Sequence, residues 1–332
     1  MGPFHLGTRL QVPVLFVYVM REPKRHYHLY ARRVDVKYND PQDLLEKYTE
    51  NVQRVLKKYP LQWFNFYDFW EDGTFKKMLK FKNITILAFS LLLVLGAFDI
   101  FINVSGIAYL FIGFVWFVLI TVGSFSMSWN FFTPAFTSQK VFSEKKVAIT
   151  FDDGPHPEYT PQVLELLKKY NAKATFFCIG KNIEKHPEIL KAIVENGHSI
   201  GNHSYSHASR FGFFGRKKII SEIEITDQLL EAVSGKKNKL FRPPYGVTNP
   251  SIASAVKQTN HKVIGWSIRP FDTVIKNPKT VLKSITKKVS PGAIVLLHDS
   301  HERIPYVLEH LLLFLENEGY QTVTIETLIN KN

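Results

Sequence analysis

One cysteine in 332 residues, Cys178 within the apolar run A-T-F-F-C-I-G, is too few for an intrachain disulfide or a zinc site built on thiolates. A lone cysteine in that setting reads as a small core residue. No short-period repeat or low-complexity tract is present, which excludes solenoids and disordered arrays. The formal charge of +13 is not gathered into one basic block, and no nucleic-acid-reading module is recognisable. Diffuse positive charge implies attraction to anionic surfaces such as phospholipid headgroups or acidic glycans.

What the chain does have is two long apolar runs, Ile84 to Val104 and Ile107 to Phe125, each of bilayer-crossing length. Only a few residues around Ser105 and Gly106 separate them, so they are expected as a transmembrane hairpin over 84–125. The single charge, Asp99, lies near the end of the first run, within reach of the interface. Lys76, Lys77, Lys80 and Lys82 precede the hairpin, Lys140, Lys145 and Lys146 follow it, and the turn has no basic residue. Both flanks are therefore expected on the cytoplasmic side of the inner cell membrane, in an integral membrane protein. The runs are too long, and too far from residue 1, for a cleavable signal peptide.

Beyond a linker over 126–145, strand-like runs (K-V-A-I-T-F, A-T-F-F-C-I, A-I-V-L-L-H) alternate with helix-period segments such as P-Q-V-L-E-L-L-K-K-Y. About seven such units in series predict a parallel sheet, open or closed into a barrel.

The segment V-A-I-T-F-D-D-G-P-H-P places Asp152 and Asp153 side by side where the first of these strands ends. Asp-Asp-Gly-Pro is ordinary turn chemistry, yet adjacent carboxylates repel unless a cation or donor holds one ionised. G-N-H-S-Y-S-H offers His203 and His207 four residues apart, a spacing from which two imidazoles reach one cation. With one carboxylate they form a three-ligand site that leaves room for water, and Asp153 as ligand frees Asp152 to act as a base. F-R-P-P-Y-G supplies Arg242, able to clamp a carboxylate; W-S-I-R-P-F-D-T supplies Asp272, and I-V-L-L-H-D supplies His298. An imidazole bonded to a carboxylate has raised proton affinity, as a general acid requires. Arg242 and Asp272 read equally as a structural ion pair and His298 as a strand-end histidine, but all these residues fall at the carboxyl ends of different strands, where barrel and open-sheet enzymes assemble their sites.

T-F-D-D-G-P, H-x-x-x-H, R-P-P-Y, W-x-x-x-x-x-D and L-L-H occur in this order, and residues 146–332 resemble a polysaccharide deacetylase of the NodB-homology family, also called carbohydrate esterase family 4. The resemblance implies a distorted (β/α)7-type barrel and metal-dependent hydrolysis of N-acetyl groups on amino sugars of a glycan or glycolipid. It implies Asp152 as base, Asp153, His203 and His207 as ligands of a divalent cation, His298 as acid, Arg242 holding Asp152, and Asp272 holding His298. Zinc is the expected cation, with Co2+, Ni2+ or Mn2+ as substitutes. Tyr245 would lend its backbone N–H to the oxyanion, Leu296 would line the acetate pocket, and Trp266 would contact substrate. Two positions depart from the family pattern: Arg269 stands where many members have Asp, and Thr273 where Trp is common. An O-acetyl carbohydrate esterase and a catalytically idle glycan-binding protein are the alternative functions.

Residues 1–77 lie outside that pattern. G-T-R-L-Q-V-P-V-L-F-V-Y-V-M-R-E and the stretch from Leu44 to Trp70 resemble the C-terminal part of a lipid A lauroyl/myristoyl-type acyltransferase, without that family's H-x-x-x-x-D. Acyl transfer is therefore not expected, and a small α+β segment is. With Met78 as a natural start, the segment reads as the tail of a fused acyltransferase, and so implies a functional link to such an enzyme. It reads equally as a docking module whose cluster Trp63, Phe64, Phe66, Tyr67, Phe69 and Trp70 rests on membrane lipid.

Overall fold

The computed structural model describes residues 2–10, 12–22, 26–59, 79–139 and 144–329. The cluster Trp63 to Trp70 and Met78 lie outside the described residues. The chain divides into two compact units, Met1–Phe75 and Lys76–Asn332.

In the first unit, strands β1 (Val14–Glu22) and β2 (His26–Val34) form an antiparallel ribbon beside the helix Pro41–Lys58. Alternation decides its faces: Phe16 and Tyr18 are buried with Leu44 and Val52, whereas Leu15, Val17 and Val19 are exposed.

The second unit opens with helices Phe81–Ile102 and Gly106–Phe125, both long and apolar enough to cross a membrane. Of their residues only Ile84, Ala88 and Gly123 are buried, so these are not core helices of the barrel. Asp99 closes the hairpin tip, accepting from the Val104 amide at 2.5 Å and the Tyr109 hydroxyl at 3.1 Å. At the other end the Phe81 amide donates to the Phe131 carbonyl at 3.1 Å, which brings both hairpin ends to one level.

The remaining strands are β3 (Ala135–Phe136), β4 (Lys146–Asp152), β5 (Ala174–Cys178), β6 (Ser199–Asn202), β7 (Leu240–Phe241), β8 (Lys262–Ile264), β9 (Ile294–His298) and β10 (Gln321–Thr322). They pair in parallel in the order β10-β4-β5-β6-β7-β8-β3, and β9 also pairs with β4. The sheet curls until β9 meets the chain just after β8, through an Ile268–Val295 bridge, so the expected distorted barrel is present.

Side-chain alternation along the strands separates two cores. Val147, Ile149 and Phe151 of β4, with Val295 and Leu297 of β9, point outward under amphipathic helices such as Ile304–Asn317, which buries Ile304, Val307, Leu308, Leu311 and Leu315. Ala148 and Ile294 point inward with Phe177 and Ile264. Thr150, Asp152, Leu296 and His298 continue that inward face toward the carboxyl ends, where the site lies.

Candidate active site

Most of the predicted site residues stand at the end of a strand or in the loop that follows it, while Leu296 lies within β9. Asp152 and His298 are the last residues of β4 and β9, whereas His203, Arg242 and Trp266 follow β6, β7 and β8 within two residues. Asp152, Asp153, His203, His207, Tyr245, Trp266, Leu296 and His298 line one cleft of about 250 Å³. Arg242 and Asp272 do not line it; each stands behind a residue that does.

On one side, the Asp153 Oδ1 is 3.6 Å from His203 Nε2 and 3.4 Å from His207 Nε2. That oxygen is buried and has no hydrogen-bond partner among the described residues, a costly state that a cation would relieve. His203 Nδ1 faces the Arg242 carbonyl at 2.7 Å, so Nε2 is the nitrogen left for the cleft. Burial, reinforced by the neighbouring His203, lowers the His207 pKa to about 4 and keeps it in the neutral form that binds metals. Two imidazoles and one carboxylate within 4.8 Å of one another fit a divalent cation of the zinc kind. Asp153 (φ 74°), His207 (φ 46°) and Tyr245 (φ 61°) all adopt the left-handed region, a strain that these L-residues tolerate only when the surroundings hold it.

On the other side the charges are balanced by the chain itself. Arg242, fully buried, donates to Asp152 Oδ1 at 2.6 Å and to Thr150 Oγ1 at 2.9 Å. Its other nitrogens donate to the Ile264 and Gly265 carbonyls, and its guanidinium lies 4.1 Å from the Phe177 ring centre. His298 places Nδ1 3.0 Å from Asp272 Oδ1, and its amide donates to Oδ2 at 2.8 Å. Burial opposes charging of His298, but the Asp272 carboxylate, helped by Asp152 and Asp153, outweighs it and raises the pKa to about 9. Burial likewise opposes ionisation of Asp272, and hydrogen bonds from His298 and His301 overcome it, holding that carboxyl well below the usual range.

Three supporting residues were not singled out from the sequence. His301 Nε2 lies 3.2 Å from Asp272 Oδ2 and was signalled by its place three residues after His298. Thr150 was signalled by period two, which puts it on the face of Asp152. Asp299 is fully buried; burial pushes its carboxyl up to about 7, and Thr160 donates to it at 2.5 Å. A Cβ on Gly154 would lie 2.5 Å from Asp299, so this glycine is required for close approach and not for a left-handed turn. The two departures from the family pattern both line the cleft, where Arg269 stacks on Trp266 and Phe271.

Residues 139–264 match the family model described as Polysaccharide deacetylase. A peptidoglycan-N-acetylglucosamine deacetylase of Bacillus cereus (strain ATCC 14579) is 36% identical over 192 residues, covering 56% of this chain and 89% of that protein. The chain belongs to the polysaccharide deacetylase family. Another family member, the peptidoglycan-N-acetylmuramic acid deacetylase PdaC of Bacillus subtilis (strain 168), is 35% identical over 188 residues, which are 56% of this chain and 39% of that protein. The solved structure of peptidoglycan deacetylase PdaC from Bacillus subtilis matches with TM-score 0.53 at 34% identity, covering 56% of this chain and 91% of that one. The chain thus spans about two fifths of the length of PdaC and of the Listeria monocytogenes deacetylase PgdA.

Proposed function

We propose that this polysaccharide deacetylase is a membrane-anchored, metal-dependent hydrolase that removes N-acetyl groups from amino sugars of a glycan or glycolipid. The observation that carries the reading is the division of labour between adjacent carboxylates, with Asp153 facing two imidazoles and Asp152 held by Arg242. Family relatives named as peptidoglycan and chitooligosaccharide deacetylases support the N-acetyl substrate class.

Asp153, His203 and His207 would hold the cation, zinc by donor type. When bound, it supplies Lewis acidity for the acetyl carbonyl and lowers the pKa of water at the site. Asp152, positioned by its hydrogen bond from Arg242, accepts the proton of the attacking water. In this reading the Tyr245 N–H donates to the oxyanion and Leu296 packs against the acetyl methyl. His298, charged through Asp272, gives its proton to the departing amine, so acetate and a free amino sugar leave. Both hairpin ends and the barrel lie on one side of the membrane in this reading, and the flanking lysines favour the cytoplasmic side. A reporter active only in the periplasm, fused after Asn332, is expected to stay silent; activity there contradicts this placement.

Acetate release from chitooligosaccharides by the full chain, with and without a chelator, tests the chemistry. Release that the chelator abolishes and zinc restores is expected. Release indifferent to chelation contradicts the metal assignment, and release from acetylated xylan alone contradicts the N-acetyl assignment.

A further inference from the structure

The last turn of the second apolar helix is fastened to the rim of the active site. The Thr248 amide donates to the Ser124 carbonyl at 2.9 Å, and Thr248 lies two residues beyond Gly246 on the segment that carries Tyr245. The turn around 210–214 sits on the same segment: Asn249 Nδ2 donates to the Gly212 carbonyl at 2.6 Å, and Gly212 faces Val247. Met127, just past the helix, shares a buried cluster with Phe211. Helix end, cleft rim and turn therefore occupy one edge of the unit.

That edge presents an unusual surface. Phe213 is 91% exposed, and among the described residues after the hairpin no large hydrophobic side chain is more so. It is set in R-F-G-F-F-G-R-K-K, where Arg210, Arg216 and Lys217 are exposed and make no ion pair among the described residues; Lys218 reaches Glu222 at 3.3 Å. Lys80 and Lys82 are exposed at the first helix's start, and the second helix, about 30 Å long, places Ser124 at headgroup depth if it spans. An aromatic tip ringed by cations beside a span end is the composition that partitions into an anionic bilayer interface.

We propose that the 210–218 turn is a second membrane contact. Phe213 enters the boundary between headgroups and acyl chains, Arg210, Arg216 and Lys217 meet lipid phosphates, and the cleft is thereby held open to acetylated amino sugars carried on lipid. The inference rests on the reading of 81–125 as a membrane hairpin and on the deacetylase chemistry above. It names what the chemistry alone leaves open, the physical state of the substrate, as one carried on lipid.

The test uses the full chain in vesicles of phosphatidylcholine and phosphatidylglycerol. Cys178 is buried, so a nitrobenzoxadiazole label added after Phe213→Cys or after Lys237→Cys goes to the introduced thiol. Lys237 is exposed beside the amino ends of the strands and serves as the control. Lipid spin-labelled near the headgroup should quench the label at 213 and not at 237, and Arg216→Gln with Lys217→Gln, or omission of phosphatidylglycerol, should weaken the quenching. Phe213→Ser should lower turnover of a vesicle-borne N-acetylglucosaminyl lipid about tenfold, a loss of apolar burial, while leaving turnover of soluble chitooligosaccharide unchanged. A label at 213 that stays unquenched, in protein that floats with vesicles and deacetylates the soluble substrate, overturns the docking turn and leaves anchor and activity standing. Failure to float overturns the hairpin reading and the docking turn with it; flotation without turnover of either substrate overturns the deacetylase reading instead.

Discussion

The two walls of the cleft use the same residue types, Asp and His, to opposite ends. On the Asp153 wall a buried carboxylate oxygen has no hydrogen-bond partner among the described residues, and burial favours the neutral form of His207. On the Asp152 wall the chain supplies positive charge: Arg242 meets Asp152, and the Asp272 carboxylate favours the charged form of His298. The first wall fits a cation, and in the proposed mechanism the second moves protons. Residue identity does not distinguish them; the donors placed behind each one do.

Three substitutions would break or sharpen this contrast. His203→Ala takes a ligand from the cation wall and should abolish zinc uptake in a titration, with acetate release falling at least about a thousandfold. A variant that still binds zinc tightly would contradict the ligand set. Arg242→Lys keeps the charge behind Asp152 but loses the fork that also serves Thr150 and two carbonyls. Zinc uptake should persist, kcat should fall about a hundredfold through mispositioning, and chemical denaturation should show a loss of about 1–3 kcal/mol. An unchanged kcat would show that Asp152 needs no such anchor.

Asp272→Asn is the mildest, costing about tenfold at neutral pH. Its signature is the pH profile. His298 must be protonated to serve as acid, so activity is lost as pH rises through its pKa, at or below about 9 because a cation nearby opposes protonation. Removing the Asp272 carboxylate lowers that pKa, and the alkaline limb should move to more acid pH. A limb that stays in place would assign it to another group.

How much of this was legible in the sequence depended on whether a signal was local. The parallel sheet followed from alternating strand and helix periods, because parallel strands covered on both faces must read as continuous apolar runs, whereas its curling into a distorted barrel was implied by the family resemblance alone. The Asp152–Asp153 pair and the His203–His207 spacing could be read directly. The partner of each carboxylate could not, since Arg242 and Asp152 are 90 residues apart in sequence and meet only because β4 and β7 end on one rim. The order of motifs in the family bridged that gap, and no spacing argument would have. Thr150 and His301 were visible by period and proximity yet carried no independent chemical signal. Gly154 carried a misleading one, looking like turn chemistry when its missing Cβ makes room for Asp299.

The account's central claim is that neighbouring carboxylates do different work, and Asp152→Asn tests it most directly when zinc binding and acetate release are measured on one preparation. Full zinc stoichiometry with most of the hydrolysis gone is the predicted result. Normal turnover, or a loss of zinc equal to that of His203→Ala, would contradict it.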